Sequence, residues 1–142
     1  MSYKKHLRGV AQYVRGTDRE AEVTQASPHR LIQILMETLL GNLMAGKGAL
    51  ERQDLPQATQ KLTRAQAIIT ELRMSLDFEK GGEVVQTLDG LYDFLGRHVA
   101  AGRTASNPAL IQESIDAFRP IKEAWDAIEE EANKVKPQQE TA

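Results

Sequence analysis

The sequence predicts an all-α fold, an antiparallel up-and-down four-helix bundle with a flexible N-terminal arm. Helix-forming Ala, Leu, Glu, Gln, Lys and Arg dominate, aromatic residues make up only 5%, and β-branched runs are missing. Apolar residues recur at steps of three and four, which gathers them on one helix face. The connections between these patterns are short, so consecutive helices are expected to pack side by side in opposite directions.

Two cap-and-proline signals open the first two predicted helices. Ser27 precedes Pro28: the serine can accept a hydrogen bond from an unpaired backbone N–H, and proline fits the first helical position. This helix is predicted to end near Arg52. Asp54 repeats the cap signal for a second helix, which carries Pro56 in its first turn and continues to about Leu76. Its apolar positions follow the steps 3, 4, 3 and 4: Leu62, Ala65, Ile69, Leu72 and Leu76.

A third helix is predicted from about Glu83 to Arg103, and a fourth from the cap at Asn107-Pro108 to about Lys134. The third helix has an apolar face of its own: Val84, Leu88, Leu91, Leu95 and Val99. Pro120 lies inside the fourth helix, where its ring collides with the carbonyl of residue 116 and its nitrogen cannot donate. The pattern leaves two interpretations, a kinked helix or two helices meeting at residue 119. A kink is expected, because the apolar face continues unshifted: Ile111, Ile115, Phe118, Ile121, Trp125 and Ile128.

The 142 residues suit one domain, divided into an arm at 1–26, a bundle at 27–135 and a disordered tail at 136–142. The arm is polar, but four apolar side chains spaced 4, 3 and 4 predict a short helix within it: Tyr3, Leu7, Val10 and Val14. Its basic residues, without a bulky apolar face, are interpreted as an ordinary polar arm rather than a membrane-surface helix.

Charge and composition weigh against several function classes. A net charge of −2 gives no electrostatic reason to expect nucleic acid binding. No apolar run approaches the ~20 residues that span a bilayer, and the chain start lacks a secretory apolar core, so a cytoplasmic protein without membrane insertion is expected. The absence of cysteine removes disulfides and thiolate chemistry.

The titratable residues do not suggest a catalytic, metal or cofactor site. His6, His29 and His98 lie on separate predicted elements, and none has a second histidine at helical spacing. Acidic residues 77, 79 and 83 surround a loop but lack the ligand density of a calcium site, so they are interpreted as solvated charges. The sequence therefore predicts neither a cofactor, a metal nor an enzyme.

Histidine phosphotransfer domains offer an enzymatic alternative, because they are also four-helix bundles of about this size. They favour a lysine and then a glycine three and four residues after the phosphorylated histidine. Gly102 follows His98 at the second of these positions, but Ala101 stands where the lysine would be. A purely structural, dimerising bundle is a third hypothesis, and self-association stays open.

Excess apolar surface is the positive signal for binding. Apolar residues of the first predicted helix cover most of its circumference, more than the roughly 100° stripe that a bundle helix needs. Either this helix is central and buried, or it borders an exposed groove. Met74, Val85 and Phe94 also fall off the predicted core faces, and grouped apolar residues can receive an amphipathic helix from a partner.

On the third helix, Asp93 and Arg97 stand four residues apart and are expected to pair along the surface. Tyr92 is expected to pack on the core side with its hydroxyl at the rim.

The junction at residues 75–83 holds one apolar ring among charges. Gly81 and Gly82 permit the chain to reverse, since glycine adopts positive φ without a Cβ clash. Asp77 and Glu79 flank Phe78, whose ring is predicted to be buried under the turn as an anchor for the two helix ends. The junction set is Leu76, Asp77, Phe78, Gly81 and Gly82.

This junction and the segments around it resemble the flagellin-specific export chaperones of the FliS family. The resemblance runs in order from about Tyr13 to Ile128 and includes these residues: Ala26-Ser27-Pro28, Leu31-Ile32, Ala65-Gln66, Ile69, Glu71-Leu72, Leu91-Tyr92-Asp93, Arg97 and Ala124-Trp125. Each motif is weak alone, whereas their ordered succession is specific.

The resemblance implies a cytoplasmic chaperone that binds the disordered C-terminal segment of flagellin, prevents premature polymerisation and delivers it to the export gate. It also implies that the arm occupies part of the client groove when the groove is empty. The predicted partner-binding residues are Tyr13, Ile32, Met36, Leu40, Met74, Val85 and Phe94.

Overall fold

The computed structural model describes residues 3–15, 17, 19–79 and 81–141, with side chains described for 9–15, 17, 19–79 and 81–128. The described residues form six helices and no strand: α1 (Tyr3–Val14), α2 (Glu20–Gln25), α3 (Pro28–Glu51), α4 (Leu55–Met74), α5 (Gly82–Thr104) and α6 (Pro108–Thr141). The all-α bundle is thereby confirmed. The division into arm, bundle and tail stays a prediction, although α6 continues past the helix end expected near Lys134.

The predicted helix starts are confirmed at atomic detail. Ser27 accepts a hydrogen bond from the Arg30 amide at 3.1 Å, and Asp54 accepts one from the Gln57 amide at 3.3 Å. Asn107 accepts one from the amide of Ala109 at 3.0 Å. Each cap satisfies an N–H that the first helical turn leaves without a partner.

The α3–α4 and α5–α6 connections share one geometry. Gln53 and Ser106 have φ values of 61° and 51°, and the next residue in each case donates its amide to a carbonyl five residues back at 2.8 Å. This left-handed residue followed by a six-to-one hydrogen bond is the Schellman helix ending. Because the donating residue also caps the following helix, each chain reversal takes few residues.

Helix α3 lies at the centre of the bundle. It packs against α1, α4 and α6, while α5 closes the ring by packing against α4 and α6. His98 of α5 contacts Glu113 of α6, and His29 of α3 contacts Trp125 of α6, the contacts that an up-and-down order predicts. Burial of α3 explains most of its apolar surface, since seven of its large apolar side chains are buried: Leu31, Ile34, Leu35, Met36, Leu39, Leu43 and Leu50. Met44 remains 52% exposed.

The arm folds onto this bundle. Val10 and Val14 of α1 are buried and belong to the same apolar core, as do Val23 and Ala26 from the α2 region. A Cβ at Gly9 would lie 2.3 Å from a carboxylate oxygen of Glu71, so α1 lies close to the C-terminal half of α4. The short helix predicted from the 4, 3, 4 spacing is present, whereas the side chains of Tyr3 and Leu7 lie outside the described residues.

Helix α6 passes through Pro120 as one element. The alternative of two helices meeting at residue 119 is therefore wrong, and the kink stays a prediction. Ile111, Ile115 and Phe118 are buried in the core, whereas Ile128 is 49% exposed. The apolar stripe of α6 thus extends beyond the core that the other helices form.

The predicted anchor role of Phe78 is wrong. Its ring is 56% exposed, and Leu76, which packs partly buried against the core, is the apolar residue that the junction turns inward. Asp77 accepts a hydrogen bond from the Glu79 amide at 3.0 Å, so local backbone bonding forms the turn without a buried ring. Flanking charges do not decide which way a turn side chain points.

Phe78→Ala is therefore expected to change the free energy of unfolding by less than about 0.5 kcal/mol, because exposed substitutions away from caps and cores have small effects. Thermal melting followed by circular dichroism checks this. A loss of about 3 kcal/mol, as for a buried aromatic, would contradict the exposed position.

Candidate partner-binding cleft

An apolar cleft opens at the bundle end where α3 begins and α4 ends. Its volume is ≈610 Å³. Side chains from α3, the α4–α5 junction, α5 and α6 line it: Ile32, Met36, Ser75, Leu76, Asp77, Val84, Val85, Leu88, Tyr92, Pro120, Ile121, Ala124, Trp125 and Ile128. Two of the most exposed apolar side chains, Val84 at 69% and Ile128 at 49%, lie on its walls. Apolar side chains of the cleft are therefore exposed to solvent.

Two polar side chains of the lining, Ser75 and Asp77, are hydrogen-bonded to nearby backbone. Ser75 donates its hydroxyl to the Leu72 carbonyl at 2.5 Å, and Asp77 accepts from the Glu79 amide. Burial raises the pKa of Tyr92 to about 12, so its phenol stays neutral at physiological pH. Most of the lining side chains are apolar, so the walls offer mainly apolar contact.

A reciprocal contact fixes Trp125 as one wall. The indole N–H donates to the His29 carbonyl at 3.1 Å, and His29 Nε2 donates to the Trp125 carbonyl at 2.8 Å. The two rings stack with centroids 4.4 Å apart and planes 4° from parallel. His29 Nδ1 is buried and has no hydrogen-bond partner among the described residues. This pair joins the first turn of α3 to α6 and holds the indole over the cleft.

Polar groups beside this pair hold α6 to α3. Gln33 donates to Asp126 at 2.7 Å, and Lys122 donates to the same carboxylate at 2.6 Å. Burial alone raises the pKa of Asp126, but these two hydrogen bonds and the electrostatic attraction of Lys122 and His29 together outweigh it, so the pKa lies below its ordinary value. The stabilisation is present above the carboxyl's unfolded-state pKa and is lost as pH falls through the depressed folded-state pKa.

A second ionic group ties α2 to α3. Arg30 bridges Glu22 at 2.6 Å and Glu37 at 3.1 Å, and Arg19 also pairs with Glu37. Arg30 is thus the central residue of this network, because carboxylates from both helices contact its guanidinium. These contacts hold the end of the arm against the start of the bundle.

The structure brings together only part of the predicted partner-binding set. Ile32, Met36 and Val85 line the cleft, and Val85, expected off the core, is buried at 8% exposure. Leu40 packs partly buried against the core. Met74 and Phe94 are 44% and 45% exposed and are not among the cleft-lining residues.

Tyr13 lies at the arm rather than the cleft. Burial raises the pKa of Tyr13, Glu71 raises it further and Arg64 opposes both, which places the phenol between charged side chains of α4. The predicted partner-binding set therefore combined residues of the cleft with a residue of the arm, and the fold places these on separate surfaces.

Sequence reasoning missed the α6 wall of the cleft. Ile121, Trp125 and Ile128 were assigned to the helix core face, and Pro120 was considered only as the site of a kink, whereas all four line the cleft. The available signal was the length of the α6 apolar stripe, which continues beyond the region that other helices cover. An apolar stripe that is longer than the helices packed against it has apolar surface available to another molecule.

The predicted surface pair on α5 is confirmed, with Arg97 Nε 3.2 Å from the Asp93 carboxylate. Arg73 of α4 adds a contact that the sequence did not indicate, at 2.5 Å to Asp89 and 3.1 Å to Asp93. The hydrogen bond from Arg73 lowers the pKa of Asp89. Arg73, Asp93 and Arg97 line a smaller groove of ≈270 Å³ between α4 and α5. Tyr92 lies on the core side, 3% exposed, as expected.

His98 contacts Glu113 of α6 and Phe94 of its own helix. Its Nε2 lies 2.9 Å from a Glu113 carboxylate oxygen, and its ring stacks on Phe94 with centroids 4.9 Å apart. Among the described residues, no group of three or more His, Asp or Glu side chains converges as a metal site requires.

His98 is expected to accept no phosphate from a phosphorylated response regulator, and His98→Gln is expected to melt like the parent, because glutamine keeps a polar contact to Glu113. Phosphate analysis of the parent and thermal melting of both chains check this. Phosphohistidine at this position after incubation with a phosphorylated response regulator would contradict the expectation.

Comparison with known proteins decides the family. The family model described as "Flagellar protein FliS" matches residues 10–132, nearly the whole bundle. The chain belongs to the FliS family. The flagellar secretion chaperone FliS of Vibrio cholerae is 33% identical over 122 residues, covering 86% of this chain and 90% of that protein. FliSB of Pseudomonas aeruginosa, also named a flagellar secretion chaperone, is 38% identical over 109 residues, covering 77% of this chain and 86% of that protein.

A more distant relative carries the same name. FliS of Bacillus subtilis, also called a flagellar secretion chaperone, is 24% identical over 107 residues, covering 75% of this chain and 79% of that protein. The FliS match begins inside α1 and ends in α6, so it includes every cleft-lining residue. In the described part of this FliS-family chain, no helix combines the length and apolar run required to cross a bilayer.

Proposed function

We propose that this FliS-family chain is a cytoplasmic chaperone that binds the C-terminal segment of flagellin, keeps it from polymerising prematurely and promotes its delivery to the flagellar export gate. The observation that carries the proposal is the solvent-open apolar cleft in a chain whose relatives are named flagellar secretion chaperones. The cleft favours a binding role over an enzymatic one, because its lining is mostly apolar and its polar side chains Ser75 and Asp77 are bonded to nearby backbone.

The mechanism follows from the properties of a disordered client. A segment that folds on binding loses conformational freedom, so apolar burial must offset this cost. Leu88, Trp125 and Ile128 present side chains that such a segment can bury. An amphipathic polymerisation segment that is held with its apolar face inward cannot use that face to join another flagellin subunit.

The arm covers apolar surface of the bundle, which supports the proposal. Removal of residues 1–14 is expected to raise binding of a hydrophobic dye. Val10 and Val14 are buried against the bundle, so their removal exposes the apolar side chains that they contact. Helical content per remaining residue, measured by circular dichroism, is expected to change little. Unchanged dye fluorescence would contradict a covering role.

Point variants make the same test without shortening the chain. Val10→Asp combined with Val14→Asp is expected to raise dye binding as the deletion does, since a carboxylate is costly to bury there. Gln12→Asp, at an exposed position of the same helix, is the matched control and is expected to behave like the parent.

Co-expression with flagellin tests the function directly. The tagged chain is co-purified with full-length flagellin and with flagellin lacking its C-terminal segment. Capture of the full-length protein and loss of the truncated one are expected. Equal capture of both would overturn the assignment to the C-terminal segment, and capture of neither would overturn the client itself.

A further inference from the structure

We propose that the cleft binds an amphipathic helix whose basic end lies over the α4–α5 junction, beside Asp77, Glu79 and Glu83. The inference rests on the proposed function in that this helix belongs to the client. It adds the polarity of the bound helix and the charge pattern that the cleft selects.

The lining of the cleft favours binding of apolar side chains over binding of a small polar ligand. A small-molecule site combines apolar walls with a few convergent polar groups that fix orientation. Here Ser75 and Asp77 are bonded to nearby backbone, and Tyr92 is only 3% exposed. Leucine-like side chains need no such groups, since their burial is non-directional.

The dimensions match about two turns of helix. The lining residues of α5 extend from Val84 to Tyr92 and those of α6 from Pro120 to Ile128. Each stretch rises about 12 Å at 1.5 Å per residue. A bound helix of that length presents three side chains on one face, at positions i, i+3 or i+4, and i+7.

Charge at one end of the cleft sets the orientation. Segment 77–83 contains three acidic residues and one lysine, a formal charge of −2. Asp77 lines the cleft, and Glu79 and Glu83 are exposed beside it. Lysine or arginine on a bound helix is therefore attracted to the junction end.

Two synthetic peptides of about 14 residues serve as probes, long enough for nearly four helical turns. They share a leucine face and lack tryptophan, but one carries lysines at one end of its polar face and the other carries glutamates there. Trp125 is the sole tryptophan of the chain and lines the cleft, so its fluorescence reports occupancy. The lysine peptide is expected to bind about three- to fivefold more tightly at low salt, with the preference shrinking as salt rises.

Three variants locate the effect. Glu79→Lys, at an exposed turn position, is expected to erase the preference for the lysine peptide without lowering thermal stability. Glu51→Lys, exposed at the opposite end of α3, is the charge-matched control and should keep the preference. Val84→Glu on the cleft wall is expected to weaken both peptides about tenfold, since it places a charge in an apolar contact.

Several outcomes would overturn the inference: equal affinity of the two peptides, a preference that survives Glu79→Lys, or binding unaffected by Val84→Glu. A parent dimer that Val84→Glu converts to monomer in sedimentation would assign the cleft to a second copy of this chain and also overturn it. Flagellin co-purification separates the two proposals. Flagellin binding without a charge preference defeats only the inference, whereas peptide selection without flagellin binding defeats only the client.

Discussion

Trp125→Ala is expected to lower the free energy of unfolding by about 2–3 kcal/mol and to weaken client binding roughly tenfold or more. The indole donates to the His29 carbonyl at 3.1 Å and stacks on its imidazole, so its removal loosens α6 from the start of α3. The same side chain forms one wall of the cleft. The loss is placed below the ~3–5 kcal/mol of a fully buried aromatic because Trp125 is only partly buried.

Trp125→Phe is the control that separates the ring from its N–H. It keeps stacking and apolar contact but leaves the His29 carbonyl without this donor, so a loss of about 1 kcal/mol is expected. Denaturant unfolding followed by circular dichroism gives the stabilities, and calorimetric titration with flagellin gives the affinities. If the alanine variant melts like the parent and binds flagellin normally, Trp125 neither joins the helices nor forms a binding wall.

Gly46→Leu is expected to destabilise the bundle by about 3 kcal/mol, through overpacking between α3 and α4. A Cβ at Gly46 would lie 2.3 Å from Leu62 Cδ2 and 2.6 Å from its Cγ. Leu62 is fully buried in the core, so its side chain cannot move aside without displacing its neighbours. The glycine therefore permits the close approach of the two helices.

Gly41→Leu, on the same helix, is the matched control. A Cβ at Gly41 meets nothing within 4 Å, and leucine is favoured over glycine in a helix by about 0.5–1 kcal/mol. The two variants are thus expected to shift the melting temperature in opposite directions. Equal shifts would mean that helix propensity alone acts at both positions and that α3 and α4 are not in tight contact.

The sequence and the structure agree best on features that depend on neighbouring residues. Ser27, Asp54 and Asn107 each cap a helix as expected, because a cap needs only its own side chain and the amides that follow. The Asp93–Arg97 pair also follows from the helical repeat alone. Val10 and Val14 were placed on one side of a short helix for the same reason.

Agreement is weakest where a side chain can lie either in the core or at the surface. Phe78 was expected to be buried, but local hydrogen bonds complete its turn and leave the ring in solvent. Met36, Met74, Val85 and Phe94 were grouped as one binding surface. The fold places Met36 and Val85 in the cleft but leaves Met74 and Phe94 outside it, because each helix presents its faces to different neighbours.

By itself, the sequence determined the all-α class, the starts of the bundle helices and the apolar stripes, since these follow from propensity, capping and the 3.6-residue repeat. The tertiary structure alone decided which stripes are covered. Helix α3 is surrounded by α1, α4 and α6, whereas α6 extends its stripe through Trp125 to Ile128 beyond its neighbours. Periodicity places residues on a face, but only the packing of other helices decides whether that face is core or cleft.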